Sequence, residues 1–232
     1  MGEQRKYRWV PAAAAAVLAV WLMARGGHPG GRPSPDSSSP QPTAAPASSP
    51  ASTASPAPAA SPSAPAQAAA YDPARFAGPV RTYAGRARVD PQLLMAILYN
   101  ESYKPHDPAL ERAWQRLKPD SAFGIANMHR AAFEETRQGR DFAGRAWEEL
   151  PDDPGLAIEA AAWYLHDLAA QLPAHPSAPF TENELLALGY NTGAGNMLLF
   201  ARGTSPGPAA RSYLDRLHDN LPKARAALGQ PD

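Results

Sequence analysis

Glu101 is the acidic residue of this sequence whose position best suits proton-transfer chemistry. Asp90 followed by Pro91 is a strong helix start, because Asp caps the free N–H groups of the first turn and Pro needs no N–H partner there. The helix that follows places Leu94, Ile97 and Glu101 on one face. Burial there, together with the negative end of the helix dipole, favours a raised pKa for the Glu101 carboxyl, as a general acid needs. The sequence predicts either a catalytic acid at this helix end or a glutamate that turns into solvent.

Three further stretches follow this helix end in an order that resembles a known enzyme family. The four segments, in chain order, are NES (100–102), AFGIAN (122–127), WYLHDL (163–168) and GYNTGAGN (189–196). Together they resemble the soluble lytic transglycosylases, whose mostly helical domain is similar to goose-type lysozyme. Each motif alone is weak, but four in this order are a specific signal. The resemblance covers about residues 76–218.

The resemblance implies roles for individual residues. Glu101 corresponds to the catalytic acid, and Tyr190 to the tyrosine that hydrogen-bonds it. The remaining positions implied to contact substrate are Ser102, Gly124, Ile125, Asn127, Met128 and Asn191. Asn127 stands where the family has glutamine, which keeps an amide but shortens its reach by one methylene. Ala126, Gly189 and Thr192 also depart from the family pattern, and the connection from Glu101 to Gly124 is longer than usual.

The reaction implied by the resemblance is cleavage of the β-1,4 bond between N-acetylmuramic acid and N-acetylglucosamine in peptidoglycan. One glutamate protonates the leaving oxygen and then takes a proton from the sugar's own 6-hydroxyl, which closes a 1,6-anhydro ring without cofactor or metal. A hydrolase would instead need a second carboxylate roughly 5 to 9.5 Å away. Asp107, Glu111 and Asp120 are the candidates, although each is also expected as a solvated loop acid. The same residues also fit two kinds of protein without catalysis, an inactive peptidoglycan-binding module and a purely structural anchor protein.

The elements that position these residues are predicted to be helices, which gives an all-α, lysozyme-like domain. No alternation is long enough to predict a strand. The first helix is expected to bend or break at Pro79, and a short amphipathic segment is expected to bury Trp114 in the core. The longest helix is predicted over 156–172, a capping box opens a helix at 181–184, and a last helix covers 208–228.

The first 70 residues differ in composition from the rest of the chain. Basic residues precede an apolar run over 9–24, so 1–32 is predicted to be a cytoplasmic stub with an uncleaved signal anchor, or alternatively a cleaved secretory signal peptide. Residues 33–70 are almost entirely Pro, Ala and Ser, which predicts a disordered tether. The catalytic domain, 71–232, is then expected outside the cell membrane, facing the wall.

Composition argues against several classes of function. Five of the 22 basic and two of the 22 acidic residues precede residue 71, so 71–232 carries a net charge of −3. This charge argues against nucleic acid as a partner, which leaves peptidoglycan glycan strands and, through the N-terminal segment, the membrane. The chain has no cysteine, and its six histidines show no metal-ligand spacing. We therefore expect a monomeric domain with no metal and no cofactor.

Overall fold

The computed structural model describes residues 71–103, 106–176 and 179–229, and this part of the chain is mostly helical. This confirms the all-α expectation. The α-helices within the described residues are α1 (Ala77–Ala87), α2 (Pro91–Glu101), α3 (Pro108–Leu117), α4 (Arg130–Thr136), α5 (Pro154–Ala169), α6 (Glu182–Thr192), α7 (Ala194–Ala201) and α8 (Pro208–Ala227). The predicted anchor and tether, 1–32 and 33–70, lie outside the described residues. Among the helices described, none combines the length and apolarity needed to cross a bilayer.

A small hairpin interrupts the helices, and sequence patterns did not predict it. Strand β1 (Ala122–Phe123) pairs antiparallel with β2 (Met128–His129), with Phe123 opposite Met128. Two residues per strand are too few to produce a recognisable alternation of polar and apolar positions. Short 3₁₀ turns at Pro73–Phe76 and Trp147–Glu149 complete the regular structure of the described residues.

The helix starts follow the local signals of the sequence closely. Asp90 Oδ1 accepts a hydrogen bond from Gln92 N at 2.8 Å, so the predicted cap of α2 is confirmed. The capping box before α6 is also present, with Glu184 Oε2 2.7 Å from Thr181 N. The predicted first helix is divided into the 3₁₀ turn Pro73–Phe76 and α1, so Pro79 lies in the first turn of α1, where its missing N–H would have no helical partner.

Two predictions about the helices were wrong. The longest helix among the described residues is α8, with 20 residues, whereas α5 has 16 and ends at Ala169. Trp114 is 50% exposed, so it is not a core residue. The inner face of α3 is polar instead, because the buried side chains on this helix are Glu111 and Gln115.

Helix α2 lies at the centre of the domain and carries Glu101 at its end. All side chains from Leu93 to Leu98 are buried, so α2 is covered on every side. Helices α1, α6 and α8 each pack against it, and α8 does so most extensively. A residue at the C-terminus of this helix is consequently held by a helix that other elements surround.

Candidate active site

The Glu101 carboxyl is buried and receives hydrogen bonds from two neutral donors. Glu101 is the last residue of α2 and is 8% exposed. Its Oε1 accepts from the Tyr213 hydroxyl at 3.0 Å, and its Oε2 accepts from Asn127 Nδ2 at 2.9 Å. Burial favours the protonated form of a carboxyl, whereas donors favour the ionised form. These opposed influences suit a group that gives up a proton and later takes one back.

Asn127 reaches Glu101 from the loop 124–127, which joins β1 to β2. The loop is tight: Asn127 N donates to Gly124 O at 2.9 Å, and its first and last residues have left-handed backbones, with φ +75° at Gly124 and φ +49° at Asn127. Asparagine tolerates this conformation better than longer side chains do, which gives a physical reason for asparagine at this position. Within the described residues, Asn127 Oδ1 is buried without a hydrogen-bond partner.

Tyr190 approaches the same carboxyl but does not donate to it. Its hydroxyl has one proton and donates it to Ala126 O at 2.6 Å, so the predicted Tyr190–Glu101 hydrogen bond is wrong. Burial, and then the charge of Glu101, raises the pKa of Tyr190 well above its usual value, which keeps the phenol neutral. Tyr190 thus anchors the loop at Ala126 rather than binding the carboxyl.

Tyr213, on α8, makes the contact that Tyr190 was expected to make. It is 2% exposed, and its backbone oxygen accepts from Asn100 Nδ2 at 3.1 Å. Asn220 Nδ2 in turn donates to Asn100 Oδ1 at 2.7 Å, which fixes α8 against the end of α2. Burial, followed by the neighbouring Glu101, raises the pKa of Tyr213 well above its usual value. The sequence signal for this residue was a polar aromatic among the inward-facing positions of the last helix.

The other residues that the resemblance implicated occupy different environments. Ser102 and Asn191 are exposed, and the Ser102 hydroxyl donates to Tyr99 O at 2.8 Å. Ile125 is partly buried in the loop. Met128 is 2% exposed, so its side chain belongs to the core and is not presented to a ligand, contrary to its predicted role. The structure therefore brings together Glu101 and the loop, and leaves Ser102 and Asn191 at the surface.

Gly189 departs from the family pattern for a packing reason. A Cβ at this position would lie 2.7 Å from Met197 Sδ and 3.2 Å from Leu168 Cδ1. Met197 is completely buried, so the space that an alanine would use at position 189 is already filled.

A family model described as "Transglycosylase SLT domain" matches residues 78–204, which is more than half of the chain. The matched region contains Glu101, the loop 124–127 and Tyr190, whereas Tyr213 lies beyond its end. It stops short of the limit near residue 218 expected from the motifs. No curated protein matches the chain in sequence. The match, together with the helical fold and the four motifs, shows that the chain belongs to the transglycosylase SLT family.

Proposed function

We propose that the protein is a peptidoglycan lytic transglycosylase that cleaves the β-1,4 bond between N-acetylmuramic acid and N-acetylglucosamine. The observation that carries this proposal is the buried carboxyl of Glu101 between two neutral donors, inside the region matched by the family. Both carboxyl oxygens have a donor that stabilises the ionised form, while burial of the side chain favours the protonated form. This carboxyl has the properties required of a general acid that must also act as a base.

In the first step, Glu101 gives its proton to the glycosidic oxygen as the bond from that oxygen to C1 of the muramic acid breaks. The leaving sugar departs with a free hydroxyl, and Glu101 is left ionised. The donors Tyr213 and Asn127 stabilise this ionised form, each through one of its oxygens. The positive charge that develops on the sugar lies close to the carboxylate, which favours the oxocarbenium-like state.

In the second step, Glu101 takes the proton of the 6-hydroxyl of the muramic acid while that oxygen attacks C1. The new bond closes a 1,6-anhydro ring, and Glu101 is protonated again for the next cycle. Neither water nor a second carboxylate takes part.

A muramidase-type hydrolase is the second candidate, and the positions of the other acids weigh against it. Asp107 caps α3, where its Oδ1 accepts from Ala109 N at 2.9 Å. One carboxyl oxygen of Glu111 accepts a hydrogen bond from Gly124 N, and the other contacts His106 Nδ1. Asp120 is exposed. Two of these three carboxylates are therefore occupied with local structure, which makes them poor bases for an attacking water.

The products released from purified peptidoglycan distinguish these candidates. With the full-length protein we expect muropeptides that end in 1,6-anhydro-muramic acid, each lighter by one water than the hydrolysis product. Mass spectrometry separates the two masses directly. Products with reducing muramic acid ends would establish the hydrolase instead, and the absence of any product from a folded protein that still binds the glycan would establish a binding module.

The two tyrosines are expected to respond differently to loss of the hydroxyl. Tyr213→Phe removes a donor to the Glu101 carboxylate, so we expect kcat/KM to fall about tenfold and its alkaline limb to move to higher pH. Tyr190→Phe leaves the Ala126 carbonyl without this donor and should lower the free energy of unfolding by roughly 1–3 kcal/mol. Rates across pH and thermal unfolding check both expectations. An unshifted pH profile for Tyr213→Phe would contradict the assignment.

A further inference from the structure

Glu111 on helix α3 and His106, two residues before the start of this helix, form a buried pair of side chains that the proposed reaction does not use. His106 Nδ1 lies 2.7 Å from Glu111 Oε1, and His106 Nε2 lies 3.0 Å from Pro151 O. The other carboxyl oxygen, Glu111 Oε2, accepts a hydrogen bond from Gly124 N at 2.7 Å. Both side chains are buried, and the ring of Tyr71 packs edge-on against the imidazole.

The hydrogen-bond partners fix the tautomer of His106. A carbonyl oxygen can only accept, so His106 Nε2 carries a proton that it donates to Pro151 O. The other ring nitrogen, Nδ1, contacts Glu111 Oε1 and so orients the carboxyl, whose Oε2 accepts from Gly124 N.

The same face of α3 holds the other end of the loop as well. Gln115, one turn after Glu111, donates from Nε2 to Trp147 O at 3.3 Å. Trp147 Nε1 donates to Met128 O at 2.9 Å. Glu111 thus holds the residue that begins the loop, and Gln115 holds, through Trp147, the residue that follows it.

A continuous chain of contacts links Glu111 to Glu101. Glu111 accepts from Gly124 N, the oxygen of Gly124 accepts from Asn127 N, and Asn127 Nδ2 donates to Glu101 Oε2. The loop has only four residues between its strands, so a movement of Gly124 changes the direction of the Asn127 amide. The segment that supplies α3 is the same connection that is longer here than in the family pattern.

We propose that Glu111, oriented by His106, is a positioning residue that fixes the loop 124–127 so that Asn127 donates to Glu101, and thereby sets the proton affinity of the catalytic carboxyl. This inference rests on the proposed function of Glu101. It also gives Glu111 a role other than that of a second carboxylate in hydrolysis, since both of its oxygens hold neighbouring groups.

The charge on Glu101 is the quantity that this arrangement controls. Among the described residues, Tyr213 from α8 and Tyr190 from α6 are titratable groups that face Glu101 across the site, and burial raises the pKa of each well above its usual value. Both phenols therefore stay neutral over the pH range of the reaction, and Asn127 has no charge. A change in the hydrogen bond from Asn127 is consequently expected to change the pKa of Glu101 itself.

The test is the titration of Glu101 in the full-length protein, followed by the ¹³C shift of its carboxyl and assigned by its loss in Glu101→Gln. In Glu111→Ala, Asn127 is no longer held, and the pKa of Glu101 should rise by about one unit. The alkaline limb of kcat/KM should move up by the same amount, with kcat lower by roughly tenfold. Glu111→Gln should resemble the parent, because its oxygen can accept from Gly124 N while its NH₂ group can donate to His106 Nδ1.

A double-mutant cycle establishes that Glu111 acts through Asn127. If it does, Glu111→Ala changes the pKa of Glu101 in the parent but not in an Asn127→Ala background. His166→Ala is the matched control, since His166 Nδ1 contacts Ala87 O at 2.8 Å, a comparable bond between α5 and α1. It should leave the titration of Glu101 unchanged.

An unchanged Glu101 pKa in folded Glu111→Ala would overturn the proposal, and so would an equal shift in the Asn127→Ala background. If Glu111→Ala does not fold, Glu111→Asp is used in its place. The aspartate side chain is one methylene too short to contact Gly124 and His106 at the same time, so the pKa of Glu101 should rise by a smaller amount. The titration needs no turnover. An inactive parent would therefore count against the proposed function, whereas an active parent without the shift would count only against the role of Glu111.

Discussion

Glu101→Gln is expected to abolish glycan cleavage while leaving the fold and glycan binding intact. Glutamine has the size of glutamate but no proton to transfer, and general acid catalysis contributes roughly 10² to 10⁴-fold. The new amide oxygen at position 101 would accept from Tyr213 while its NH₂ group faces Asn127. Because Asn127 Oδ1 has no partner among the described residues, rotation of the Asn127 amide would supply an acceptor. The variant should therefore unfold at the parent temperature or above it.

Three measurements on the full-length variant check this expectation. Mass spectrometry of released products measures cleavage, co-sedimentation with insoluble peptidoglycan measures binding, and thermal unfolding measures stability. Glu159→Gln is the control, because Glu159 is a partly buried glutamate on α5 whose carboxylate pairs with Arg86 at 3.8 Å. The control should cleave like the parent. Turnover of Glu101→Gln within tenfold of the parent would rule out Glu101 as the acid.

The position of Glu101 could be predicted from the sequence because its signals are local. The cap at Asp90, the proline after it and the apolar spacing of the following residues are read within one helix, and the structure confirms them. A carboxylate at the end of a buried helix is then a consequence of periodicity alone. The order of the motifs identified the family without any knowledge of contacts, and the family match confirms it.

The partners of Glu101 could not be predicted in this way, since they come from distant parts of the chain. Tyr213 is 112 residues away, and nothing in its local sequence indicates which of two buried tyrosines faces the carboxyl. The family pattern pointed to Tyr190, whose single proton is used by Ala126. Glu111 was predicted as a loop acid because its spacing gives no sign that α3 turns this residue inward. Such choices depend on tertiary packing, which periodicity does not report.

Gly124→Ala is expected to destabilise the protein more than Tyr190→Phe does, and to reduce cleavage as well. Its φ of +75° costs an alanine about 1 kcal/mol, and the added Cβ would lie 2.8 Å from Leu150 O. Because Leu150 O is a backbone atom, rotation of a side chain cannot relieve this contact. Overpacking of this kind costs about 1–3 kcal/mol more. Displacement of Gly124 would also weaken the bond to Glu111 and turn Asn127 away from Glu101.

Gly139→Ala separates the two causes of this effect. Gly139 has φ +71°, close to the value at Gly124, but nothing lies within 4 Å of a Cβ placed there. The free energy of unfolding of Gly139→Ala should therefore fall only by the cost of the positive φ, about 1 kcal/mol, and the variant should keep the parent turnover. Urea unfolding and cleavage rates of both full-length variants measure the difference, which isolates the contact with Leu150. Equal losses of stability in the two variants, or parent turnover in Gly124→Ala, would mean that the loop 124–127 has room to move without disturbing Glu101.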